Sequence, residues 1–162
     1  EDCGPAIISM PRVGEGDRVF KFYKFRSMTG NDAGNYGAEG TSKLRVTQVG
    51  SFLRKTRLDE LPQLWNVIKG DLSLIGPRPE FPSLVEVYKK EIPYYGVRHL
   101  IKPGISGWAQ LYHHGDPHHM TAVEDTKTKL SYDLFYLKHR SLVLDVVIAL
   151  KTIRRIIMRG NA

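Results

Sequence analysis

Asp59 and Glu60 stand side by side in LRKTRLDELPQLWNVIKGDLSLIGPRPE, residues 53–80, directly after Arg54, Lys55 and Arg57. The segment closes on Gly76-Pro77-Arg78-Pro79, and an earlier run, RVFKFYKFRSM, ends in Lys24 and Arg26. Adjacent carboxylates beside arginines have a plain explanation in helix capping and surface ion pairs. Here the cations Lys24, Arg26, Arg54, Arg57 and Arg78 outnumber what two carboxylates need. A guanidinium fork suits phosphate oxygens, and Pro77 and Pro79 present Arg78 from a stiff turn. The combination predicts a phosphate-handling site. Its cations hold an anionic substrate, while one carboxylate attacks phosphorus and the other holds a divalent metal.

Other chemistries lack their signatures. The chain carries no GxxxxGK[ST] and no GxGxxG. The GxSxG elbow and the DxD phosphatase motif are absent too. The loop YHHGDPHH gathers His113, His114, Asp116, His118 and His119, but without HExxH spacing and within a Gly/Pro turn. It reads as a polar surface loop ahead of a metal site. The single cysteine, Cys3, excludes an internal disulfide framework and a Cys-based zinc cluster, and it fits a reducing compartment.

The elements that must position these residues follow from periodicity. Residues 18–28 alternate with period two, so they read as a strand delivering Lys24 and Arg26 to a rim. Residues 29–43, rich in Gly and Asn, predict a flexible loop. TQVGSFLRKTRL predicts a short helix with Val49, Phe52 and Leu53 inward and Arg54 and Arg57 on one face. In LDELPQLWNVIKG, Asp59 reads as an N-cap, Pro62 as a first-turn residue and Gly70 as the stop. Leu61, Leu64, Trp65 and Ile68 form its apolar stripe, and the helix dipole favours the acidic pair at its start.

DLSLIG reads as a short strand, GPRPE as a rigid turn, and FPSLVEVYKKEIPYY as a helix until Pro93. IKPGISGWAQLY reads as a turn-rich connection carrying Trp108. Thr121-Ala-Val-Glu124 is a capping box opening a helix with Leu130, Leu134, Tyr136 and Leu137. A last helix, from about Ser141, has a wide apolar face and a basic end at Lys151, Arg154, Arg155 and Arg159. That pattern fits a buried core helix or an interfacial membrane helix.

At 162 residues the chain suits one domain, 1–162, of α/β (α+β) class, helix-rich with a small sheet. With 24 Lys+Arg against 17 Asp+Glu, the net charge of +7 favours anionic partners: nucleic acid, phosphorylated small molecules or an acidic membrane surface. No apolar run reaches the roughly 18 residues a spanning helix needs. The chain opens without Met, as a piece of a longer protein would.

KFRSM (24–28), LDELPQLWNVIKGDLSLIGPRPE (58–80), KPGISGWAQ (102–110), YDLFY (132–136) and SLVLDVVIALKTI (141–153), in that order, resemble the catalytic domain of bacterial sugar transferases. These are the monotopic phosphoglycosyl transferases, or polyprenyl-phosphate glycosyl-1-phosphate transferases. The resemblance implies transfer of a sugar-1-phosphate from a UDP-sugar to a membrane polyprenyl (undecaprenyl) phosphate, with release of UMP. It implies Asp59 as nucleophile, Glu60 as its partner in a catalytic dyad, and Mg²⁺ held by the pair. It places the enzyme at the cytoplasmic face of the bacterial inner membrane, in exopolysaccharide, O-antigen or glycoconjugate synthesis. The family's N-terminal re-entrant membrane helix has no counterpart before Gly4. The resemblance leaves a homo-oligomer open.

That chemistry explains the surplus of cations. Donor and acceptor are both phosphorylated, so a bare carboxylate repels either one. Unit charges about 4 Å apart interact by roughly 4 kcal/mol at an effective dielectric near 20. Neighbouring Lys and Arg cancel this repulsion and stabilise charge at the transferring phosphoryl group. Two rival readings fit the same residues. One is a basic nucleic-acid-binding module using KFYKFR as its platform, the other a soluble nucleotide-sugar hydrolase.

Overall fold

A computed structural model describes residues 4–29, 45–113 and 123–160. The first element is an antiparallel hairpin of β1 (Ile7–Val13) and β2 (Val19–Phe25), in which Met10 faces Phe22 and Ile8 faces Lys24. Alternation along β2 buries Phe22 and carries Lys24, two residues on, along the same face. Two-residue strands β3 (Met28–Thr29) and β4 (Arg45–Val46) pair antiparallel beyond it. Thr29, the first residue of the expected loop, is therefore strand, and the rest of that loop lies outside the described residues. Two further strands, β5 (Ser73–Ile75) and β6 (Gly104–Ser106), pair in parallel.

Helices supply most of the body: α1 (Gln48–Thr56), α2 (Gln63–Lys69), α3 (Pro82–Glu91), α4 (Trp108–Tyr112), α5 (Val123–His139) and α6 (Leu142–Gly160). The helix-rich class with small sheets is as expected. The connection carrying Trp108 is more ordered than its Gly and Pro content predicts, since it holds β6 and α4. Thr121 and Ala122 of the capping box lie outside the described residues, but α5 follows where the box places it.

The core has three parts. Val13, Val85, Ile92, Tyr95 and Leu130 join the hairpin, α3 and α5. Met10, Phe22 and Leu72 fill the space under the hairpin. Ile75, Tyr136 and Ile148 tie β5 to α5 and α6. Trp108 stacks on Phe135 and lies under Lys151, which fastens α4 between the last two helices.

One expectation about facing is overturned, and the apolar faces of α2 and α6 turn outward. Val49 and Phe52 of α1 are exposed, and only Leu53 is half-buried. The reason is Gly50, which lies against the backbone of Ser27, where a Cβ would fall 1.9 Å from the Ser27 carbonyl oxygen. The glycine face of α1 is thus the packed face. The stripe Leu61, Leu64, Trp65 and Ile68 is exposed as well, with Ile68 at 75%. Gln63 and Asn66 turn inward instead. On α6, Ile148 is fully buried while Leu142, Val143, Val146, Leu150, Ile153, Ile157 and Met158 are exposed. Its apolar face is wider than the core it covers. No described helix is long and apolar enough to cross a membrane.

Candidate active site

Asp59 does not cap α2. It sits inside a separate 3-10 turn, Leu58–Glu60, and Pro62 takes the position before α2. The turn is set by Arg57, which ends α1 in the left-handed region at φ 60°. Such a backbone is unfavourable for a residue with a Cβ. The resulting reversal sends Asp59 inward, where it is only 2% exposed. A carboxylate buried this far needs a cation. Lys24, brought by the alternation of β2, places Nζ 2.6 Å from Asp59 Oδ2. Asp59 Oδ1 is buried with no hydrogen-bond partner.

Glu60 faces the arginines. Arg78 Nη2 donates to Glu60 Oε1 at 2.9 Å, and Arg57 Nη1 lies 3.6 Å from the same oxygen. Burial pushes the Glu60 carboxyl up, but Arg78, Arg57 and Lys24 together outweigh it and hold it below its ordinary range. Arg78 is in turn pushed up by the Glu60 charge, against its own burial. Lys24, Arg57 and Arg78 therefore converge on the dyad. Arg54 is exposed in the last turn of α1 and pairs with neither carboxylate, because the left-handed Arg57 breaks the shared face expected of the two. Arg26 lies beyond the end of β2 with its guanidinium packed on Gly4, where a Cβ would fall 1.3 Å from Nη1.

The GPRPE turn is held from three sides. Gly76 N donates to the Ser106 carbonyl at 2.8 Å, and Gly104 N donates to the Pro77 carbonyl at 2.9 Å. The two strands approach so closely that a Cβ on Gly104 would fall 2.1 Å from Gly76 N. Pro77 and Pro79 are buried. Arg98 Nη2 donates to the Arg78 carbonyl at 2.7 Å, and Arg98 Nη1 donates to the Tyr95 hydroxyl at 2.7 Å. The Asp133 carboxylate of α5 lies 2.8 Å from Arg98, both 2% exposed at the side chain. Glu80 meets Lys129 of α5 and Arg12 of β1, the latter at 3.9 Å. Burial works to raise the Glu80 carboxyl, but Lys129, Arg98 and Arg12 bring it down to about 2.

Sequence reasoning missed Arg98, Asp133, Glu80, Lys129, Gln63 and Asn66. Nothing in their spacing marks them: Arg98, Asp133, Glu80, Lys129 and Asn66 meet partners far off along the chain, and Gln63 is buried with no partner. Asn66 is the clearest case: its amide donates to the Lys21 carbonyl at 2.7 Å, and its carbonyl accepts from Tyr23 N at 3.1 Å. That side chain docks α2 on β2 and so sets Asp59 opposite Lys24. Of the His-rich loop, His113 pairs with Asp125 at 3.0 Å, and His114, Asp116, His118 and His119 lie outside the described residues.

Residues 1–159 match the family description "Bacterial sugar transferase". The chain belongs to the bacterial sugar transferase family. It is 48% identical over 159 residues to a UDP-N-acetylgalactosamine-undecaprenyl-phosphate N-acetylgalactosaminephosphotransferase of Aeromonas hydrophila, covering 97% of this chain and 36% of that protein. It is 38% identical over 151 residues to the UDP-glucose:undecaprenyl-phosphate glucose-1-phosphate transferase of Escherichia coli K12, covering 93% and 32% respectively. A putative undecaprenyl-phosphate N-acetylgalactosaminyl 1-phosphate transferase of Bacillus subtilis is 53% identical over 100 residues, covering 60% of this chain and 55% of that protein. The chain thus spans about a third of the length of the first two of these relatives.

The site of this sugar transferase chain has the donors a hard divalent cation takes. Mg²⁺ binds through one or two carboxylates together with substrate phosphates and water. Asp59 Oδ1 is a buried carboxylate oxygen without a partner, and Glu60 is its neighbour. Among the described residues no group of three His, Cys, Asp or Glu forms a complete protein cage. The carboxylates of Asp59 and Glu60 fit the donor set that Mg²⁺ takes.

Proposed function

We propose that this chain is the catalytic domain of an enzyme that transfers a sugar-1-phosphate from a UDP-sugar to undecaprenyl phosphate, releasing UMP. The observation that carries the reading is the pairing of unlike carboxylates. Asp59 is buried with one oxygen on Lys24 and the other unpartnered, whereas Glu60 is bound to Arg78 and Arg57. One carboxylate is thereby poised to react and its neighbour is held ionised as part of the binding frame.

In the first half-reaction an oxygen of Asp59 forms a bond to the sugar-bearing phosphorus. The bond from that phosphorus to the UMP oxygen breaks, and its electron pair leaves with UMP. Polyprenyl phosphate then attacks the aspartyl phosphosugar and frees Asp59. Arg78 and Arg57 bind phosphoryl oxygens beside Glu60, and Lys24 neutralises Asp59 until phosphate arrives. Asp59 and Glu60 would hold Mg²⁺, which when bound would supply charge neutralisation at the transferring phosphoryl group. The relatives' names speak for the UDP-sugar donor and the undecaprenyl-phosphate acceptor.

The lipid acceptor calls for work at a membrane surface, and the cytoplasmic face of the bacterial inner membrane is the location we propose. The exposed apolar residues of α2 and α6 suit that interface, with the exposed Arg154 in the C-terminal half of α6 for anionic headgroups.

A burst experiment tests the reading. The protein mixed with UDP-sugar and Mg²⁺, without lipid, should release about one UMP per active site and gain a phosphosugar adduct on the LDELPQ peptide. Asp59→Asn should lose both. A normal burst and adduct in Asp59→Asn would remove Asp59 as nucleophile, and UMP release only on addition of lipid would point to direct transfer.

A further inference from the structure

α2 buries two amides, and they are used differently. Asn66 is 0% exposed and spends its side chain on the backbone of β2 and on Asp71. Gln63, one turn earlier, is also 0% exposed, yet neither its Nε2 nor its Oε1 has a hydrogen-bond partner. Burying an unpaired amide costs stability with no structural return.

The third unpartnered polar atom of this region is Asp59 Oδ1. Leu61 and Pro62 are right-handed, so the 3-10 turn that holds Asp59 leads directly into α2 at Gln63. Both side chains are buried, and four residues of right-handed chain rise only about 6–8 Å, a gap that the long Gln63 side chain can span toward the carboxylate.

We propose that Gln63 is the positioning residue of the nucleophile: with donor bound, its Nε2–H donates to Asp59 Oδ1. This rests on Asp59 attacking phosphorus as described above. The hydrogen bond fixes the plane of the carboxylate. Oδ2 leaves Lys24 and bonds to phosphorus, while the P–O bond to UMP breaks and its electron pair departs with UMP. Oδ1 becomes the carbonyl oxygen of the acyl phosphate and keeps accepting from Gln63, and no proton changes hands. A carboxylate oxygen offers two lone-pair directions, so Oδ1 accepts the amide and still faces a cation.

Because no hydrogen bond is present to lose, the apolar isostere Gln63→Met separates the positioning role from a structural one. In the full-length protein with saturating UDP-sugar and Mg²⁺, its melting temperature should be unchanged or higher. The single-turnover rate of UMP release should fall about tenfold to a hundredfold, as for loss of a hydrogen bond to a charged group. KM for UDP-sugar should hold. If Met is not accommodated, Gln63→Leu carries the same test. A wild-type burst rate in a folded variant overturns the proposal, as does a raised KM at unchanged rate, which would make Gln63 a substrate contact. A wild-type protein without a burst overturns the Asp59 mechanism and this inference together, and it is distinguished by the silence of the unmodified enzyme.

Discussion

Lys24 and Asp59 form a pair whose two halves are unequal. The Asp59 side chain is 3% exposed and the Lys24 side chain 19%, with 2.6 Å between their charged atoms. Removing one partner of such a pair leaves a charge in a place that water does not reach, at a cost of about 3–5 kcal/mol. Lys24→Met should therefore destabilise strongly in urea or thermal unfolding. Adding Asp59→Asn to it should restore most of the loss, because the stranded charge is gone. An exposed, catalytic-only Lys24 would instead give a single variant as stable as wild type. This pairing was half legible in the sequence. Alternation along residues 19–25 pointed Lys24 to a rim, and an acidic pair beside surplus cations pointed to phosphate. What the alternation cannot say is which carboxylate Lys24 meets, because the two stand 35 positions apart in the chain and the docking runs through Asn66. The left-handed Arg57 was hidden for a similar reason: local preference argues against it, and tertiary packing overrules local preference.

Along α2 the hydrophobic period was legible and its direction was not. A 3.6-residue stripe says that Leu61, Leu64, Trp65 and Ile68 share a face, but not whether that face meets the core. Here Gln63 and Asn66 are inside, because Asn66 finds backbone partners on β2, and the apolar face is left outside. The outcome on α1 has the same origin, with Gly50 granting a close approach that Val49 and Phe52 would block. Large exposed apolar patches mark contact with another phase or partner. For α2 we expect a lipid surface. Trp65, 54% exposed, makes the test direct, since its emission should shift blue on titration with anionic vesicles. Ile68→Asp should weaken vesicle binding several-fold, by loss of buried apolar area and by charge, while leaving the melting temperature near wild type. An unshifted emission with full vesicle binding would transfer the role to α6, and absence of binding at low salt would remove it from both helices.

At the scale of the whole molecule, the elements are joined by a buried charge network that no local pattern announces. Glu80 in the GPRPE turn meets Arg12 of β1 and Lys129 of α5, and Arg98 joins the Arg78 carbonyl to Asp133 of α5. In sequence these look like solvated charges, and only the folded chain shows that they connect hairpin, turn and α5 around the dyad. The network makes acid the condition that should loosen the site. Glu80 has its carboxyl lowered from 4.5 to about 2 by Lys129, Arg98 and Arg12, which overcome its burial. A group lowered on folding binds fewer protons folded than unfolded. Its contribution is therefore complete well above pH 4.5, falls as the pH drops, and is gone below about pH 2. The size is roughly 3 kcal/mol. Asp133 works in the opposite sense, since burial pushes its carboxyl up against the pull of Arg98, and this offsets part of the acid slope of the whole protein. Glu80→Gln isolates the Glu80 share. Its unfolding free energy should be lower than wild type at pH 7 and converge on it as pH falls toward 2, measured by urea titration at a series of pH values. Parallel pH curves for the two proteins would mean that Glu80 keeps its ordinary titration in the fold, and the network would then lose its part in holding the Arg78 turn.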